Sequence, residues 1–427
     1  MKYEADLKED VIPEDPTSAD PDAVLTFHGY SANGSATGEL VYANFGHIDD
    51  FRLLEKHGVN VSGKVVIVRY GTTFRGLKVK AAQGRPKDVC SSTNISEFGA
   101  VGVIIYSDPQ QDGGLKDEAS YPDGPARHPS AVQRGSVQFL SKCPGDPSTP
   151  GYPSKLGVNR TDPHEFIPSI PSLPISYRDA IPFLKSLNGG NLCGSRLGEN
   201  WQGSLDGVDY CVESERKPNV NLVNEVDFVY TPIQNVIGRI PGRSKQEIIL
   251  GNHRDAWVFG AGDPISGSAS FNAIARAFGR LLSKGWRPYR TIVLASWDAE
   301  EYGLVGSTEW VEDHAKHLRE NAIAYLNSDI GAVGDALNIA ASPLLDDVLV
   351  QATKDVITNT GATVYDNWKN TSKGRPQIGV LGSGSDYTGF LQLLGITSVD
   401  LGFGARKAVY QCIPYRCLGL THRSFQL

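Results

Sequence analysis

Acidic and histidine side chains follow three apolar runs of the sequence, each at the point where a β-strand is expected to end. The runs are EIILG, TIVLASW and AIAYLN. The polar residues that follow them are His253, Asp255, Asp263, Asp298, Glu300, Glu301 and Asp329. Carboxylates that crowd into one crevice repel one another and lose hydration, so a protein keeps them there at neutral pH with cations between them. One imidazole with several carboxylates suits zinc, and a bridging carboxylate suits a pair of metal ions.

The adjacent Glu300 and Glu301 predict two different roles. Neighbouring side chains on a turn cannot point the same way, so one can bind metal while the other faces a bound water as a base. The competing interpretation is that His253 is a hydrogen-bonded core histidine and that the acids cap helices or face solvent. Polar residues at the ends of consecutive predicted strands favour the metal site.

The order of elements around these residues predicts how they are brought together. After VYTPIQNVIGRIPG, strands alternate with predicted helices at 267–284, 303–318 and 343–359, and GITSVDLGFG is the last strand. This alternation is typical of an α/β doubly wound sheet, in which ligands bind beyond the carboxyl ends of the strands. The helix after Asp263 has an apolar stripe and is expected to face the core.

The preceding part of the chain has a different pattern. Short β-rich runs such as GKVVIVRYG and AVGVIIYSD are separated by Gly, Pro and Asp, which predicts a β-rich domain. We expect an extended, partly frayed lead-in over residues 1–34, the β-rich domain over 35–230 and the α/β domain over 231–427.

Composition excludes several classes of protein. The 427 residues have a net charge of −7, which gives no basic surface for nucleic acid. The sequence contains neither a signal peptide nor an apolar run long enough to span a bilayer. It does contain five Asn-x-Ser/Thr sequons, at Asn33, Asn60, Asn94, Asn159 and Asn370, which can also arise by coincidence. The six cysteines are too sparse for a disulfide framework, although Cys193 and Cys211 could bridge a Gly-rich loop.

The motifs GNHRDAWVFGAGDP, SWDAEEYGLVGSTEW, LNSD and LGSGSD together resemble the zinc exopeptidases that include glutamate carboxypeptidase II, the N-acetylated-alpha-linked acidic dipeptidases and the transferrin receptor. Upstream stretches, among them YGTTFRGLKVKAAQ and GDPSTPGYPS, resemble the protease-associated (apical) domain of that family. The resemblance implies a co-catalytic zinc exopeptidase, of carboxypeptidase type, that acts on peptides in the secretory pathway, the vacuole or outside the cell, or from a membrane anchor. The family forms homodimers through a helical domain, which has no counterpart here.

The resemblance also implies roles for individual residues. Zinc ligands would be His253, Asp263, Glu301 and Asp329, with Asp263 bridging two zinc ions. Glu300 would be the general base, and Asp255 would orient the imidazole of His253. The remaining implied residues are Thr149, Tyr152, Glu309 and Glu312 for a calcium ion that joins the domains, and Arg75, Gly384 and Ser385 for the substrate. Arg75 would bind the free α-carboxylate of the substrate. The competing interpretation of Arg75 is an ordinary surface arginine. For Glu309 and Glu312 it is a solvated helix face.

The sequence departs from the family pattern in places that bear on specificity and activity. Ser136 and Ser385 stand where glutamate-specific members have Asn, and the stretches around Asn338 and Asp400 lack the family's arginine patch. We therefore expect no preference for acidic residues. No histidine matches the family's last zinc ligand, because the surroundings of His422 differ. The segment 84–96 and the last 18 residues also depart from the family pattern. One interpretation is that these two segments are not genuine coding sequence. The alternatives to an active peptidase are a non-catalytic, receptor-like relative and an inactive fragment.

Overall fold

The structure, a computed structural model, describes residues 2–83 and 98–404. The segment 84–96 and the last 18 residues lie outside these ranges, together with Cys90, Asn94 and His422. The chain divides into two compact units. Among the described residues, unit 1 consists of residues 2–83, 98–142 and 162–230, and unit 2 of residues 143–161 and 231–404. Unit 2 thus includes a stretch that falls inside the range expected for the β-rich domain.

Unit 1 contains a five-stranded sheet in the order β6-β4-β3-β2-β7 and a two-stranded pair, β1-β5. Only β7 runs antiparallel to its neighbour in the larger sheet. The strands are β1 (His28–Gly29), β2 (Gly34–Tyr42), β3 (Val65–Arg69), β4 (Gly102–Tyr106), β5 (Gly135–Ser136), β6 (Ser172–Ile175) and β7 (Asn219–Asn224). The helices are α1 (Ile48–Lys56), α2 (Arg75–Ala82), α3 (Tyr177–Lys185) and α4 (Gly194–Leu197).

The centre of this sheet follows directly from the sequence. The strands β3 and β4 are VVIVR and GVIIY, and all ten residues are buried, as parallel strands with covered faces require. The helix α1 begins where His47 and Asp50 form a capping box, which satisfies backbone N–H groups that the helix itself leaves unpaired.

The first residues of the chain belong to unit 1 and include a short 3₁₀ helix, Pro16–Ala19. Glu9 forms a salt bridge of 2.8 Å with Arg134, and both side chains are almost fully buried. The Tyr121 hydroxyl donates to Asp15, and Ile12 lies in a small apolar cluster. Fraying was expected because this stretch has few apolar residues, but buried polar contacts fix it in place.

Cys193 and Cys211 form a disulfide bond in unit 1, which confirms the bridge considered from the sequence. Cys143 is buried, and its Sγ lies 3.5 Å from the carbonyl oxygen of Pro144. None of the helices in the described ranges has both the length and the apolar character that crossing a bilayer requires.

Unit 2 is built on a six-stranded sheet in the order β12-β13-β11-β9-β10-β8. The four inner strands are parallel, whereas the edge strands β8 and β12 run antiparallel to their neighbours. The strands are β8 (Val236–Ile240), β9 (Ser244–His253), β10 (Arg290–Trp297), β11 (Ala322–Asn327), β12 (Ala336–Ala341) and β13 (Ser398–Gly404). The helices are α5 (Ile265–Ser283), α6 (Val305–Asp313), α7 (Ala315–Asn321), α8 (Asp346–Asp355) and α9 (Val364–Thr371). The predicted α/β mixed sheet is confirmed.

Two helix predictions need correction. The helix predicted at 303–318 is two helices, α6 and α7, which are separated at His314. The Nδ1 atom of His314 lies 2.9 Å from the carbonyl oxygen of Trp310. The helix α5 was expected to bury its apolar stripe, but Gly267 is its one buried residue among those described. A Cβ at Gly267 would lie 2.0 Å from the carbonyl oxygen of Asp329, so glycine lets the start of the helix lie close to the loop after β11.

Candidate metal centre

His253 is the last residue of β9, and its side chain is 1% exposed. Its Nε2 atom lies 2.9 Å from Asp329 Oδ1, 3.1 Å from Asp263 Oδ1 and 3.9 Å from Glu300 Oε2. One ligand atom each of His253, Glu300 and Asp329 falls within 4.8 Å of the others. The parallel pairing of β9, β10 and β11 brings these strand ends to one edge of the sheet, as the sequence predicted.

Asp255 ties the two loops of this cluster together. Its carboxylate accepts the backbone N–H of Glu300 at 3.0 Å and that of Glu301 at 3.1 Å. Its backbone carbonyl lies 3.1 Å from His253 Nδ1, and its Oδ1 lies 3.5 Å from the same atom. Asp255 therefore contacts the imidazole, as the resemblance implies, and also holds the turn that carries the two glutamates.

The two glutamates lie on a tight turn after β10. Ala299 has a φ of +54°, and Leu304, just before α6, has a φ of +60°, so the backbone reverses sharply between these positions. Glu300 is buried and faces His253. The Glu301 Oε1 atom is also buried, and it accepts no hydrogen bond from the part of the chain that the structure describes.

The electrostatics of the cluster are those of crowded acids. Burial raises the pKa of the Glu300 and Glu301 carboxyls well above their usual range. For His253, burial acts to lower the pKa, but the Glu300 and Asp329 carboxylates outweigh it and raise the pKa well above its usual value. For Asp329, burial acts to raise the pKa, but His253 and the hydroxyl of Ser385 outweigh it and lower the pKa. The site therefore favours positive charge among its carboxylates.

The donor set fits zinc. One imidazole and several carboxylates converge, and a buried oxygen of Glu301 lacks a hydrogen-bond partner among the described residues. The residues that could hold zinc are His253, Asp263, Asp329 and one of the adjacent Glu300 and Glu301. Distances to His253 support Asp263 and Asp329 directly; Glu300 lies in the cluster with His253 and Asp329, and Glu301 has the buried unpartnered oxygen.

The residues implied for calcium come together inside unit 2. Glu309 accepts the backbone N–H of Asp146 at 2.7 Å and that of Ser154 at 2.5 Å. Thr149 Oγ1 and Glu312 Oε2 are buried and accept no hydrogen bond from the described residues. Burial raises the pKa of Glu309 to about 7 and that of Glu312 to about 8. The hydroxyl of Tyr152 donates to the carbonyl of Asn159 at 2.7 Å, which leaves its oxygen lone pairs able to bind a cation.

Arg75, the first residue of α2, is buried in unit 1 and is not the surface arginine of the alternative interpretation. Its guanidinium carbon lies 5.1 Å from the ring centre of Phe74 and 5.7 Å from that of Tyr70. A Cβ at Gly135, where φ is +146°, would lie 2.2 Å from this carbon, so glycine is needed to leave room for the guanidinium.

Ser385, one of the residues implied for substrate, contacts an acid of the cluster. Its side chain is buried, and its hydroxyl donates to Asp329 Oδ2 at 2.6 Å. Gly384, the other residue implied for substrate, is exposed, and its N–H donates to the Tyr387 hydroxyl at 3.3 Å.

Sequence reasoning missed two residues of this region. Asp386 is fully buried, and burial raises its pKa to about 7, with His253 and Asp329 among the charges that act on it. Asn327 is buried at the end of β11 and contacts Ser385. A polar residue inside the apolar run AIAYLN was the available signal for Asn327, and the acid that ends GSGSD was the signal for Asp386.

Comparison with known proteins agrees with this geometry. A family profile described as peptidase family M28 matches residues 235–413, and the PA domain profile matches residues 36–138. The chain is 48% identical over 415 residues to the "Probable glutamate carboxypeptidase" of Arthroderma benhamiae. The aligned region covers 94% of this chain and 54% of that protein.

Two further relatives have different names. The chain is 40% identical to "Vacuolar protein sorting-associated protein 70" of Saccharomyces cerevisiae, over 96% of this chain and 49% of that protein. It is 38% identical to "Aminopeptidase NAALADL1" of Rattus norvegicus, over 90% of this chain and 52% of that protein. The chain thus spans about half the length of these curated relatives. With a PA domain followed by a peptidase domain that carries the acid cluster, the chain belongs to peptidase family M28.

Proposed function

We propose that this protein is a co-catalytic zinc exopeptidase of carboxypeptidase type, with a peptidase domain at 231–427, a protease-associated domain at 35–230 and a lead-in at 1–34. The observation that carries the proposal is the buried convergence of His253, Asp263, Glu300 and Asp329 at one edge of the sheet of unit 2. Buried carboxylates without a compensating cation cost too much for a purely structural or receptor role to explain.

Two zinc ions would be held by His253, Asp263, Glu301 and Asp329, with Asp263 between them. Bound zinc would make a water molecule more acidic and polarise the scissile carbonyl. Glu300 takes a proton from the attacking water and delivers it to the leaving amine, which suits a carboxyl whose pKa burial has raised. Asp255 keeps Glu300 and Glu301 in place through their backbone N–H groups.

Arg75 is proposed to bind the free α-carboxylate of the peptide, because a guanidinium matches a carboxylate with two parallel hydrogen bonds. Gly384 is proposed as a substrate-binding residue of unit 2. No preference for acidic side chains is expected, since neither Asn338 nor Asp400 supplies a positive charge. Asp400 instead accepts a hydrogen bond from Asn327.

The secretory pathway, including the vacuole, is the proposed location. A disulfide bond indicates an oxidising compartment, and one relative is named for vacuolar protein sorting. The sequon asparagines within the described ranges are all exposed, as glycosylation requires: Asn33, Asn60, Asn159 and Asn370.

The direction of trimming can be tested with two sets of short peptides. One set has an acetylated amino end and a free carboxylate, and the other has a free amino end and an amidated carboxyl end. We expect release of the carboxy-terminal residue from the first set, measured by mass spectrometry, and complete loss of release when a zinc chelator is added. Cleavage of the second set alone would instead indicate an aminopeptidase, the activity in the name of the rat relative. Cleavage of neither set would contradict the proposal.

Thr149, Tyr152, Glu309 and Glu312 are proposed to bind calcium through oxygen atoms. We expect calcium to raise the melting temperature of the chain, since a ligand at 100 times its Kd adds about 2.7 kcal/mol to the free energy of unfolding. Glu312→Gln should abolish this shift, whereas Glu320→Gln, at an exposed position on α7, should keep it. Thermal melts with calcium and with a calcium chelator measure the effect. Equal shifts in both variants would exclude this site.

A further inference from the structure

A continuous chain of buried hydrogen bonds runs from the core of unit 2 to Asp329. Trp297 Nε1 donates to the Tyr325 hydroxyl at 2.9 Å, and that hydroxyl donates to Asn327 Oδ1 at 2.9 Å. Asn327 Nδ2 then donates to Ser385 Oγ at 3.0 Å, and the Ser385 hydroxyl donates to Asp329 Oδ2 at 2.6 Å. The first four residues are at most 3% exposed.

The direction of donation follows from the chemistry of its first member. An indole N–H can only donate, so the Tyr325 oxygen accepts it and the hydroxyl proton is free to go to Asn327. The amide of Asn327 accepts through Oδ1, which turns its NH₂ group toward Ser385 and toward Asp400 Oδ1, 2.9 Å away. Ser385 thus accepts from Asn327, and its one proton goes to Asp329.

The residues packed around this series of hydrogen bonds hold it in position and leave room for it. The rings of Tyr325 and Phe390 stack with centres 4.0 Å apart, which fixes the position of the phenol. A Cβ at Gly251 would lie 2.0 Å from the Tyr325 hydroxyl and 2.7 Å from Trp297 Nε1. Glycine at the start of GNHRD therefore leaves room for the first hydrogen bond, next to the strand end that carries His253.

The series of hydrogen bonds fixes which oxygen of the Asp329 carboxylate faces His253. Asp329 Oδ2 is held by Ser385, so Oδ1 is the oxygen that faces His253 Nε2 at 2.9 Å. A residue that hydrogen-bonds to a metal ligand fixes the rotamer of that ligand and strengthens its binding of the ion.

We propose that Trp297, Tyr325, Asn327 and Ser385 are positioning residues, which orient the Asp329 carboxylate for metal through a one-way series of hydrogen bonds. The inference rests on the proposed zinc site. It gives a role to the buried polar residues that precede Asp329 in AIAYLNSD.

The test measures zinc affinity by competition with a chelator. Ser385→Ala should weaken zinc binding by about 10–100-fold, the usual cost of losing such a partner. Tyr325→Phe should weaken it less, because Asn327 still donates to Ser385. The double variant should lose no more than Ser385→Ala alone, since both changes interrupt one chain.

The matched control is Ser398→Ala. Ser398 is a fully buried serine on β13 whose hydroxyl donates to the carbonyl of Ile396, away from Asp329. This variant should lower the melting temperature of the metal-free chain but leave zinc affinity within about twofold. The visible absorption bands of the cobalt-loaded chain give a second reading, since they report ligand geometry and should change in Ser385→Ala alone.

Equal zinc affinities for Ser385→Ala and Ser398→Ala, or additive losses in the double variant, would overturn the proposal. Should Ser385→Ala fail to fold, Tyr325→Phe decides, and wild-type affinity in that variant counts against the proposal. A wild-type chain that binds no zinc would instead refute the proposed function. The positioning role would then be judged on a crystal structure of Ser385→Ala, where a rotated Asp329 carboxylate supports it and an unmoved one contradicts it.

Discussion

Glu300→Gln should lower kcat for peptide hydrolysis by about 10²–10⁴-fold, the usual contribution of a general base, while zinc content stays at the wild-type level. The amide has nearly the shape of the carboxylate, so the buried packing around position 300 is kept. It cannot take a proton from water, so the loss falls on the chemical step. Steady-state kinetics and metal analysis of the same preparation measure both quantities.

Glu320→Gln makes the same chemical change at an exposed position of α7 and should leave both quantities unchanged. A Glu300→Gln variant that keeps its kcat would show that Glu300 is not the base. Loss of zinc in that variant would show that Glu300 is a ligand, as its distance of 3.9 Å from His253 Nε2 also permits.

Glu301→Gln should give the opposite pattern, a loss of zinc affinity greater than the roughly 10–100-fold that removal of an outer hydrogen-bonding partner costs. A neutral amide is a poor ligand for zinc. Glu301 Oε1 has no hydrogen-bond partner among the described residues, so no other contact compensates for the lost bond to zinc.

The metal-free form of the same variant should be more stable than the wild type. Burial raises the pKa of Glu301, and the charges of Asp263 and Asp255 act in the same direction, so a neutral side chain relieves repulsion there. Chelator competition and thermal melts of the metal-free chain measure the two effects. Unchanged zinc affinity would remove Glu301 from the ligand set and exchange the proposed roles of the two glutamates.

The sheet of unit 2 could be predicted from the sequence because its inner strands are continuous apolar runs between helices with a 3.6-residue period. The carboxyl ends of such strands meet at one edge, so the proximity of His253, Asp263 and Asp329 followed from pattern alone. The edge strands β8 and β12 were not predicted, because their exposed residues interrupt the apolar pattern. Apolar periodicity also overstated the burial of α5, since a stripe shows which face is apolar and not what covers it.

Individual contacts within the site were harder to predict. The sequence places Ser385 after a glycine in GSGSD, which suggests an accessible loop, and only three-dimensional packing shows its hydroxyl on Asp329. Tyr325 and Asn327 are neighbours in β11, but the contact of Asn327 with Ser385 joins residues 58 positions apart, so no local pattern indicates it. The two backbone N–H groups that Asp255 accepts are likewise visible only in the folded turn.

Paired zinc ions are proposed to hold this acid cluster together. Anomalous X-ray scattering at the zinc edge, from crystals of the chain grown with zinc, would locate them. We expect two peaks about 3.5–4 Å apart, with Asp263 between them and with His253, Glu301 and Asp329 as the other protein ligands. Crystals with no anomalous peak at this cluster, and with the carboxylates of Asp263, Glu301 and Asp329 turned away from one another, would contradict this proposal.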